Sequence, residues 1–145
     1  MRWIAAPLLA LVCACSDDID DPEAAEAFLT RLRSENYQGW QRAKGWEARK
    51  PSISAHGDDA DIFVNKTLAD TPGGSASWPT GSIIVKDSYR GGSLRLIGAM
   101  EKRADGWYFV EWSGDGSVKY AGRPSICTNC HQNGQDEVLA FGLPQ

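Results

Sequence analysis

Apolar residues near the start of the chain recur with the spacing of an amphipathic helix. They are Ala24, Ala25, Phe28, Leu29 and Leu32, which one face of a helix would carry together. The preceding Asp21-Pro22-Glu23 is a typical helix start, since Asp caps the first turn, Pro fits it, and Glu complements the positive helix end. The pattern predicts a helix over residues 22–36, then a Gly-interrupted stretch with room for one more short helix.

From residue 61 onward, apolar and polar residues instead alternate with the two-residue period of β-strands. Such segments cover residues 62–64, 82–88, 94–102, 107–112 and 118–120. The turn at 104–106 joins two of them into a hairpin. In the segment 82–88, Ile83 and Val85 share one face. Ile84 and Lys86 share the other.

Together these elements predict an α+β fold in a single domain. A short helix is expected from residue 127, close to the C-terminus. The domain would then consist of an N-terminal helix, an antiparallel β-sheet of four or five strands, and a C-terminal helical segment. The 15 Gly and 6 Trp residues suit a compact fold with tight turns better than a four-helix bundle.

The first residues have the features of an export signal. Arg2 supplies the positive start, residues 3–11 a short apolar stretch, and Val12-Cys13-Ala14-Cys15 resembles a lipoprotein cleavage site. The stretch is too short to span a membrane. We expect a signal peptide over residues 1–14, a lipid anchor on Cys15, an acidic tether over residues 15–21 and a domain over 22–145. Two or more acyl chains would hold the protein on the periplasmic side of a bacterial membrane. The alternative is an ordinary secretory signal and a soluble periplasmic protein.

Charge and cysteine content narrow the partners. The net charge of −4 argues against nucleic acid or an anionic lipid surface as the main partner, and leaves a basic or neutral redox protein open. Cys13 would leave with the signal peptide and Cys15 would take lipid. Only Cys127 and Cys130 then remain, so no structural disulfide is expected.

The most informative motif is Cys127-Thr128-Asn129-Cys130-His131, the CxxCH pattern of a covalently attached c-type haem. Each thiol can form a thioether with a haem vinyl group, and His131 can ligate the iron from the proximal side. A zinc ribbon would require a second pair of ligands. A thioredoxin-like CxxC would require a βαβ setting, which the sequence does not predict here.

The position of the motif separates classes of cytochrome. Class I cytochromes c carry CxxCH near the start and an axial Met downstream, whereas only residues 132–145 follow His131 and none is Met. Cytochromes c′ carry CxxCH near the C-terminus but are four-helix bundles. This chain combines the c′-like position with a β-rich body.

Three further segments resemble the cytochrome P-460 family, which includes cytochrome c′-beta. They are Ile62-Phe63-Val64-Asn65, Trp78-Pro79-Thr80-Gly81-Ser82-Ile83-Ile84-Val85-Lys86-Asp87, and Met100 to Arg103 with Gly106-Trp107-Tyr108-Phe109, followed in the same order by the CxxCH. The resemblance covers roughly residues 40–131. It implies a homodimer built on an antiparallel sheet, one covalent haem c, and a distal haem face without a protein ligand.

The resemblance also singles out Lys86. In cytochrome P-460 enzymes a lysine at the end of this strand is bonded to a carbon of the porphyrin, and Lys86 matches that position. Burial by Ile84 and the haem would lower the pKa of Lys86 and so favour the neutral, nucleophilic amine. The alternative is a lysine at a strand end whose amine extends to solvent.

The distal side of the haem decides the reaction. Met100 is expected to pack in the core, and His56 to lie in an exposed loop or contact a haem propionate, rather than ligate iron. Phe63 and Ile62 are candidates to line an apolar pocket that favours neutral diatomic ligands. A base for proton removal could be Glu101, Glu111 or Asp115, and the sequence does not choose among them.

Three functions remain open at this point. The first is an enzyme that oxidises hydroxylamine or a related nitrogen compound and passes electrons to a small redox protein. The second is a protein that binds NO. The third is an electron-transfer cytochrome with a sixth axial ligand. The sequence favours an exported mono-haem c-type cytochrome of the P-460 family that binds small nitrogen ligands such as NO or hydroxylamine at an open distal haem face. Whether it also converts them by redox chemistry stays open, and an electron-transfer cytochrome with a sixth axial ligand is the alternative.

Overall fold

A computed structural model describes residues 19–145 as one antiparallel sheet of seven strands with three α-helices. The signal peptide expected at 1–14 and the lipid anchor expected at Cys15 lie outside the described residues. The elements are, in chain order, α1 (Pro22–Ser34), a 3-10 turn (Tyr37–Gly39), β1 (Gln41–Arg42), β2 (Lys50–Ser54), β3 (Gly57–Val64), α2 (Lys66–Ala69), β4 (Ile83–Arg90), β5 (Ser93–Arg103), β6 (Gly106–Ser113), β7 (Val118–Gly122) and α3 (Ser125–His131). No helix within residues 19–145 has the length and apolar character needed to cross a bilayer.

The sheet is a meander with an interrupted edge. Strands β3 to β7 follow one another in space as in sequence, each antiparallel to the next. The two short strands β1 and β2 both pair with the remaining edge of β3, one near each of its ends. The hairpin expected between residues 94–102 and 107–112 is formed by β5 and β6.

Helix α1 closes one side of the sheet. Its first turn is capped by Asp21, whose carboxylate accepts a hydrogen bond of 2.9 Å from the backbone N–H of Ala24. Phe28 lies edge-on to Trp112 with ring centroids 5.9 Å apart. We call this side of the sheet the helix face; its buried sheet residues are Phe63, Ile83, Val85, Ile97, Ala99, Tyr108, Val110, Trp112 and Ala121.

The opposite side, here called the cavity face, presents Ile62, Val64, Ile84, Met100, Trp107 and Phe109. Residues 65–82 and the C-terminal segment after α3 cover only part of it. Leu68 and Trp78 come from the first of these segments, and Val138 and Leu143 from the second. The uncovered part remains as a cavity beside α3.

The predicted fold class is wrong. The structure is mainly a seven-stranded antiparallel sheet with three short helices, not an α+β fold with four or five strands and a C-terminal helical segment. The sequence did not predict the strands β1 and β2, because they lack an apolar alternation. Strand β2 contains Pro51, and its one aliphatic residue, Ile53, is exposed. Strand β3 also begins earlier than expected, because residues 57–60 pair with β2 and residues 59–61 pair with β4.

Candidate functional site

The cavity face encloses a space of about 770 Å³, within the range of roughly 300–1,000 Å³ that is usual for ligand and cofactor pockets. Cross-strand pairing forms its floor as one row of residues: Ile62, Lys86, Gly98, Glu111 and Tyr120. Because Gly98 has no side chain, the floor is lowest between Lys86 and Glu111. A second row, Ile84, Met100 and Phe109, continues the floor in apolar form.

Helix α3 forms the wall that carries the CxxCH motif. Cys127, Cys130 and His131 occupy positions i, i+3 and i+4, which share one side of a helix. All three line the cavity. Within the described chain, neither thiol takes part in a disulfide. The helix begins after Pro124, whose carbonyl accepts backbone hydrogen bonds from residues 127 and 128 and so fixes the orientation of the motif.

The ring of His131 is oriented for ligation through one nitrogen. Its Nδ1 lies 2.8 Å from the carbonyl oxygen of Glu137, which can only accept, so Nδ1 carries the proton and Nε2 keeps its lone pair. Burial lowers the pKa of His131, which favours the neutral imidazole that a metal requires. The ring of Phe109 packs edge-on against it, with centroids 4.9 Å apart.

A strained turn holds the carbonyl of Glu137 in place. Asp136 and Glu137 adopt φ angles of 48° and 63°, in the left-handed region that residues with a Cβ rarely occupy. The indole N–H of Trp107 donates to the carbonyl of Asp136 at 2.7 Å. Arg123 contacts both carboxylate oxygens of Glu137 at 3.1 Å. These contacts support the hydrogen bond that orients His131, as outer partners of metal-binding histidines do.

The same turn is anchored to the sheet through the side chain of Asp136. Its carboxylate accepts hydrogen bonds from the backbone N–H of Trp78 at 2.7 Å and from Nζ of Lys102 at 2.6 Å. Gly134 lets the chain reverse here, because a Cβ on it would lie 2.4 Å from the carbonyl oxygen of Val138. The turn after α3 is therefore held on several sides.

Lys86 extends from β4 into the cavity. Its Nζ donates hydrogen bonds to the hydroxyls of Ser52, at 2.8 Å, and Ser54, both on β2. Burial lowers the pKa of Lys86 to about 8, although the charge of Glu111 acts in the opposite direction. The amine is thus half-buried rather than extended into solvent. It loses its proton at a lower pH than the amine of an ordinary lysine does.

A second histidine faces the same cavity. His56 lies at the turn between β2 and β3, and its Nδ1–H donates to Oε2 of Glu111 at 2.6 Å. Burial acts to raise the pKa of Glu111. The hydrogen bonds and charges of His56 and Lys119 have a larger effect in the opposite direction, so the pKa of Glu111 lies below its ordinary value. The ring centroids of His56 and His131 are 6.3 Å apart, with the ring planes tilted by 57°.

Other candidates from the sequence lie elsewhere. Phe63 belongs to the helix face, where its ring meets Tyr37 at 6.0 Å, so it does not line the cavity. Glu101 is paired with Arg31 and Arg103 away from the cavity. Asp115 lies in an exposed turn, where it accepts the backbone N–H of residue 117. Of these three carboxylates, Glu111 is the one that lines the cavity.

Sequence reasoning missed the association of His56 with Glu111. Glu111 is the one charged residue in the apolar run of β6, and that interruption was the available signal. His56 carried no comparable signal, because the turn that places it follows a strand with no apolar alternation. Met100 packs among the apolar residues of the cavity face, and Ile62 lines the cavity as expected.

The charges around the cavity are unlike those of the whole chain. The chain has a net charge of −4, but the cavity is lined by four Lys or Arg side chains and one carboxylate. The cations are Lys50, Lys86, Arg95 and Lys119, and the carboxylate is Glu111. The site therefore suits an occupant with negative charge at its edge and an apolar body.

These features fit a c-type haem. Two thiols, an imidazole with an available Nε2, an apolar floor and surrounding cations meet in one cavity of suitable volume. Cys127 and Cys130 would hold the haem covalently, and His131 would ligate its iron. No protein-family model matches the chain, and no curated protein matches it significantly.

Proposed function

We propose that the chain is an exported mono-haem c-type cytochrome, with haem attached to Cys127 and Cys130 and its iron ligated by His131. One observation carries the proposal: Cys127, Cys130 and His131 line a single cofactor-sized cavity, and the Glu137 carbonyl engages Nδ1 of His131. The hydrogen bond between Nδ1 and a backbone carbonyl is the arrangement that metal-binding histidines usually have, and it supports ligation through Nε2. The likeness of the strand segments to cytochrome P-460 proteins supports the same reading.

The electrostatics of the cavity also support a haem. Haem carries two carboxylates at one edge and an otherwise apolar ring. Three exposed cations, Lys50, Arg95 and Lys119, line the cavity together with apolar residues of the sheet. Charge complementarity of this kind favours an anionic cofactor in a protein that is acidic overall.

When bound, the haem would supply a redox-active iron that binds small ligands such as NO or hydroxylamine. The chain contributes two groups able to accept or hold protons inside the cavity, Glu111 and His56, which are hydrogen-bonded to each other. This pair supports binding and redox conversion of small nitrogen ligands, as in the P-460 family. The cross-link between Lys86 and the porphyrin stays a prediction of the resemblance; burial of its amine supports it.

A second candidate function is electron transfer to a small redox protein. The observation that favours it is His56, a second imidazole in the cavity 6.3 Å from His131 between ring centroids. Exposed apolar side chains of Ile53, Ile126 and Leu139 also line the cavity, and such a patch suits docking of a partner.

We further propose that the protein is anchored by a lipid at Cys15, that it lies on the periplasmic side of a membrane, and that it forms a homodimer.

The test is haem attachment in a bacterial host that matures c-type cytochromes. The wild-type chain should retain haem on a denaturing gel, and the double variant Cys127→Ser/Cys130→Ser should lose it completely. Cys15→Ser is the matched control, since it should keep the haem and lose membrane association. A wild-type protein without covalent haem would contradict the proposal.

The same preparation tests the remaining details. His131→Ala should change the haem spectrum, because it removes the proximal ligand. A reduced Soret band displaced far to the red, and lost in Lys86→Ala, would indicate the cross-link. An ordinary reduced spectrum that is the same in Lys86→Ala would exclude it.

A further inference from the structure

We infer that Arg95 binds a propionate of the haem, at the end of the cavity that lies away from α3. The inference rests on the proposed haem at Cys127 and Cys130, and it adds a non-covalent contact to the edge of the ring that carries no thioether. It puts no further protein group on the iron and leaves the distal face of the haem open. Nothing in the sequence marks Arg95, because an arginine near a strand end is common at a protein surface.

A β-bulge directs Arg95 toward the cavity. Ser88 and Tyr89 are neighbours on β4, but their partners on β5 are Leu96 and Leu94, so Arg95 is the extra residue between them. Bulges of this kind redirect a side chain and are frequent beside functional sites. Arg95 and Leu96 both line the cavity, although neighbouring residues of a regular strand point to opposite faces. The bulge therefore adds a cation to the cavity that a regular strand would have placed on the helix face.

The position of the two thiols decides which end of the cavity receives the propionates. Haem carries its vinyl groups on one edge of the porphyrin and its two propionates on the opposite edge. Helix α3 packs against the end of the sheet where Met100 on β5 pairs with Phe109 on β6. Cys127 packs against that apolar cluster, and the ring of His131 lies 4.9 Å from the ring of Phe109 between centroids. A haem attached to α3 therefore directs its propionates along the strands, away from Met100 and Phe109.

Arg95 lies at that far end of the cavity. It precedes Met100 on β5 by five positions, which corresponds to roughly 16 Å along an extended strand. Its guanidinium lies beside the start of β3, since a Cβ built on Gly57 would be 3.8 Å from Nη1 of Arg95. Between Met100 and Arg95 the floor includes Gly98, whose lack of a side chain leaves room above it. The cavity thus offers a path from the thiols to a cation at the opposite end.

Arg95 is also the cavity cation whose donors are available. Lys119 is ion-paired with Glu111 at 3.3 Å. Lys86 donates to two serine hydroxyls, and Lys50 donates to a backbone carbonyl. Within residues 19–145 the side chain of Arg95 makes no hydrogen bond, ion pair or ring contact. A guanidinium in this state can bind both oxygens of one carboxylate, which is the geometry that arginine favours with such groups.

The first measurement is resonance Raman spectroscopy of the purified, haem-loaded ferrous protein, in which the bending vibration of the propionates reports their hydrogen bonds. Arg95→Gln should shift this band from its wild-type position. Arg95→Lys keeps the charge but not the paired donors, so its band should lie between the two. Lys50→Gln is the matched control and should leave the band in place. It also removes a cavity cation, but one that lies over the ring of Trp46, which is hydrogen-bonded to the segment after α3.

The second measurement is the reduction potential as a function of pH. A cation beside a carboxylate favours its ionised form, so Arg95→Gln should move the propionate-linked change in potential to a pH about 1–3 units higher. The other titratable or charged side chains near this part of the cavity are His56, Glu111 and Lys119. They are the same in wild type and variant, so the difference between the two profiles isolates the propionate.

The outcomes separate this inference from the proposed function. If haem-loaded Arg95→Gln matches wild type in both measurements, binding by Arg95 is overturned and the haem proposal stands. A band that shifts in Lys50→Gln but not in Arg95→Gln overturns it as well, because the propionates then lie at the other end of the cavity. A wild-type protein without covalent haem overturns both proposals. If Arg95→Gln fails to fold, the band position in Arg95→Lys decides the matter.

Discussion

The two faces of the sheet are built from alternate residues of the same strands, yet they serve different ends. The helix face is covered by α1, and its residues Val85, Trp112 and Ala121 are fully buried. The cavity face is covered only in part and keeps a space of about 770 Å³ beside α3. Closure of one face leaves the other available for a cofactor, because a sheet needs only one fully packed side to be stable.

Neighbouring residues of β4 illustrate the difference. Asp87 points to the helix face, is fully buried, and accepts hydrogen bonds from Tyr37 at 2.9 Å and Gln38 at 2.7 Å. Lys86 points to the cavity face and keeps its amine half-buried against two serine hydroxyls. The helix face thus satisfies its polar group within the fold, whereas the cavity face keeps a reactive group beside open space.

The largest expected effect is on the free energy of unfolding, when one leucine on each face is shortened to alanine. Leu32 is fully buried on the helix face, and Leu96 is buried at the edge of the cavity. In protein made without haem, Leu32→Ala should lower the free energy of unfolding by about 2–5 kcal/mol, since it opens a void in a packed core. Leu96→Ala should cost at least ~1 kcal/mol less, because it only enlarges an existing space. Chemical denaturation measures both, and equal losses would contradict the contrast between the faces.

A smaller effect is expected at the buried acid of the helix face. Burial raises the pKa of Asp87, although the hydrogen bonds from Gln38 and Tyr37 act in the opposite direction. Its contribution to stability is therefore complete below the ordinary pKa of Asp and is lost as pH rises through the raised value. Asp87→Asn should cost about 1–3 kcal/mol near pH 4, because the amide cannot accept from both partners, and less at pH 8.

Denaturation curves of Asp87→Asn and wild type between pH 4 and pH 8 measure this trend. Asp115→Asn is the control, since backbone and side-chain hydrogen bonds from Ser117 lower the pKa of Asp115. For such a group the stability is present above its ordinary pKa and lost as pH falls through the lowered value. The two variants should therefore show opposite pH trends, and parallel trends would disprove the assignment for Asp87.

The smallest effect concerns the amine of the cavity face. The folded protein holds Lys86 at a pKa of about 8, against 10.5 for an ordinary lysine, so the unfolded chain binds more protons between these values. In protein made without haem, Lys86→Met should be more stable than wild type at pH 7 by on the order of 1 kcal/mol, allowing for partial exposure. This advantage should shrink as pH rises toward 10. Lys66→Met, at a largely exposed site, is the matched control for the removal of a lysine side chain.

Local patterns were sufficient for part of the fold. Helix α1 begins at Pro22 as the cap and apolar spacing indicated, and β4, β5 and β6 follow the alternation read from their residues. The fold class was nevertheless wrong, because β1 and β2 join the sheet through backbone pairing with β3 and not through an apolar pattern. Edge strands made of polar residues lack the apolar alternation from which strands are predicted in a single sequence.

The candidate site divides in the same way. The CxxCH motif is local, so its residues could be assigned to one side of a helix from spacing alone. The choice of Glu111 over Glu101 and Asp115 required the register between β5 and β6, which places Glu111 beside Gly98 on the cavity face. Phe63 was misplaced in the pocket together with Ile62, although adjacent residues of a strand point to opposite faces.

The sequence by itself determined the CxxCH motif, the capped N-terminal helix and the alternating strands, because each depends on residues within a few positions of one another. Only the tertiary structure decided what surrounds that motif. His56 and Glu111 are 55 positions apart, yet they are hydrogen-bonded, and the rings of His56 and His131 lie 6.3 Å apart between centroids. These meetings depend on strand register and on a hairpin at the sheet edge, both of which arise from long-range pairing that no short stretch of sequence encodes.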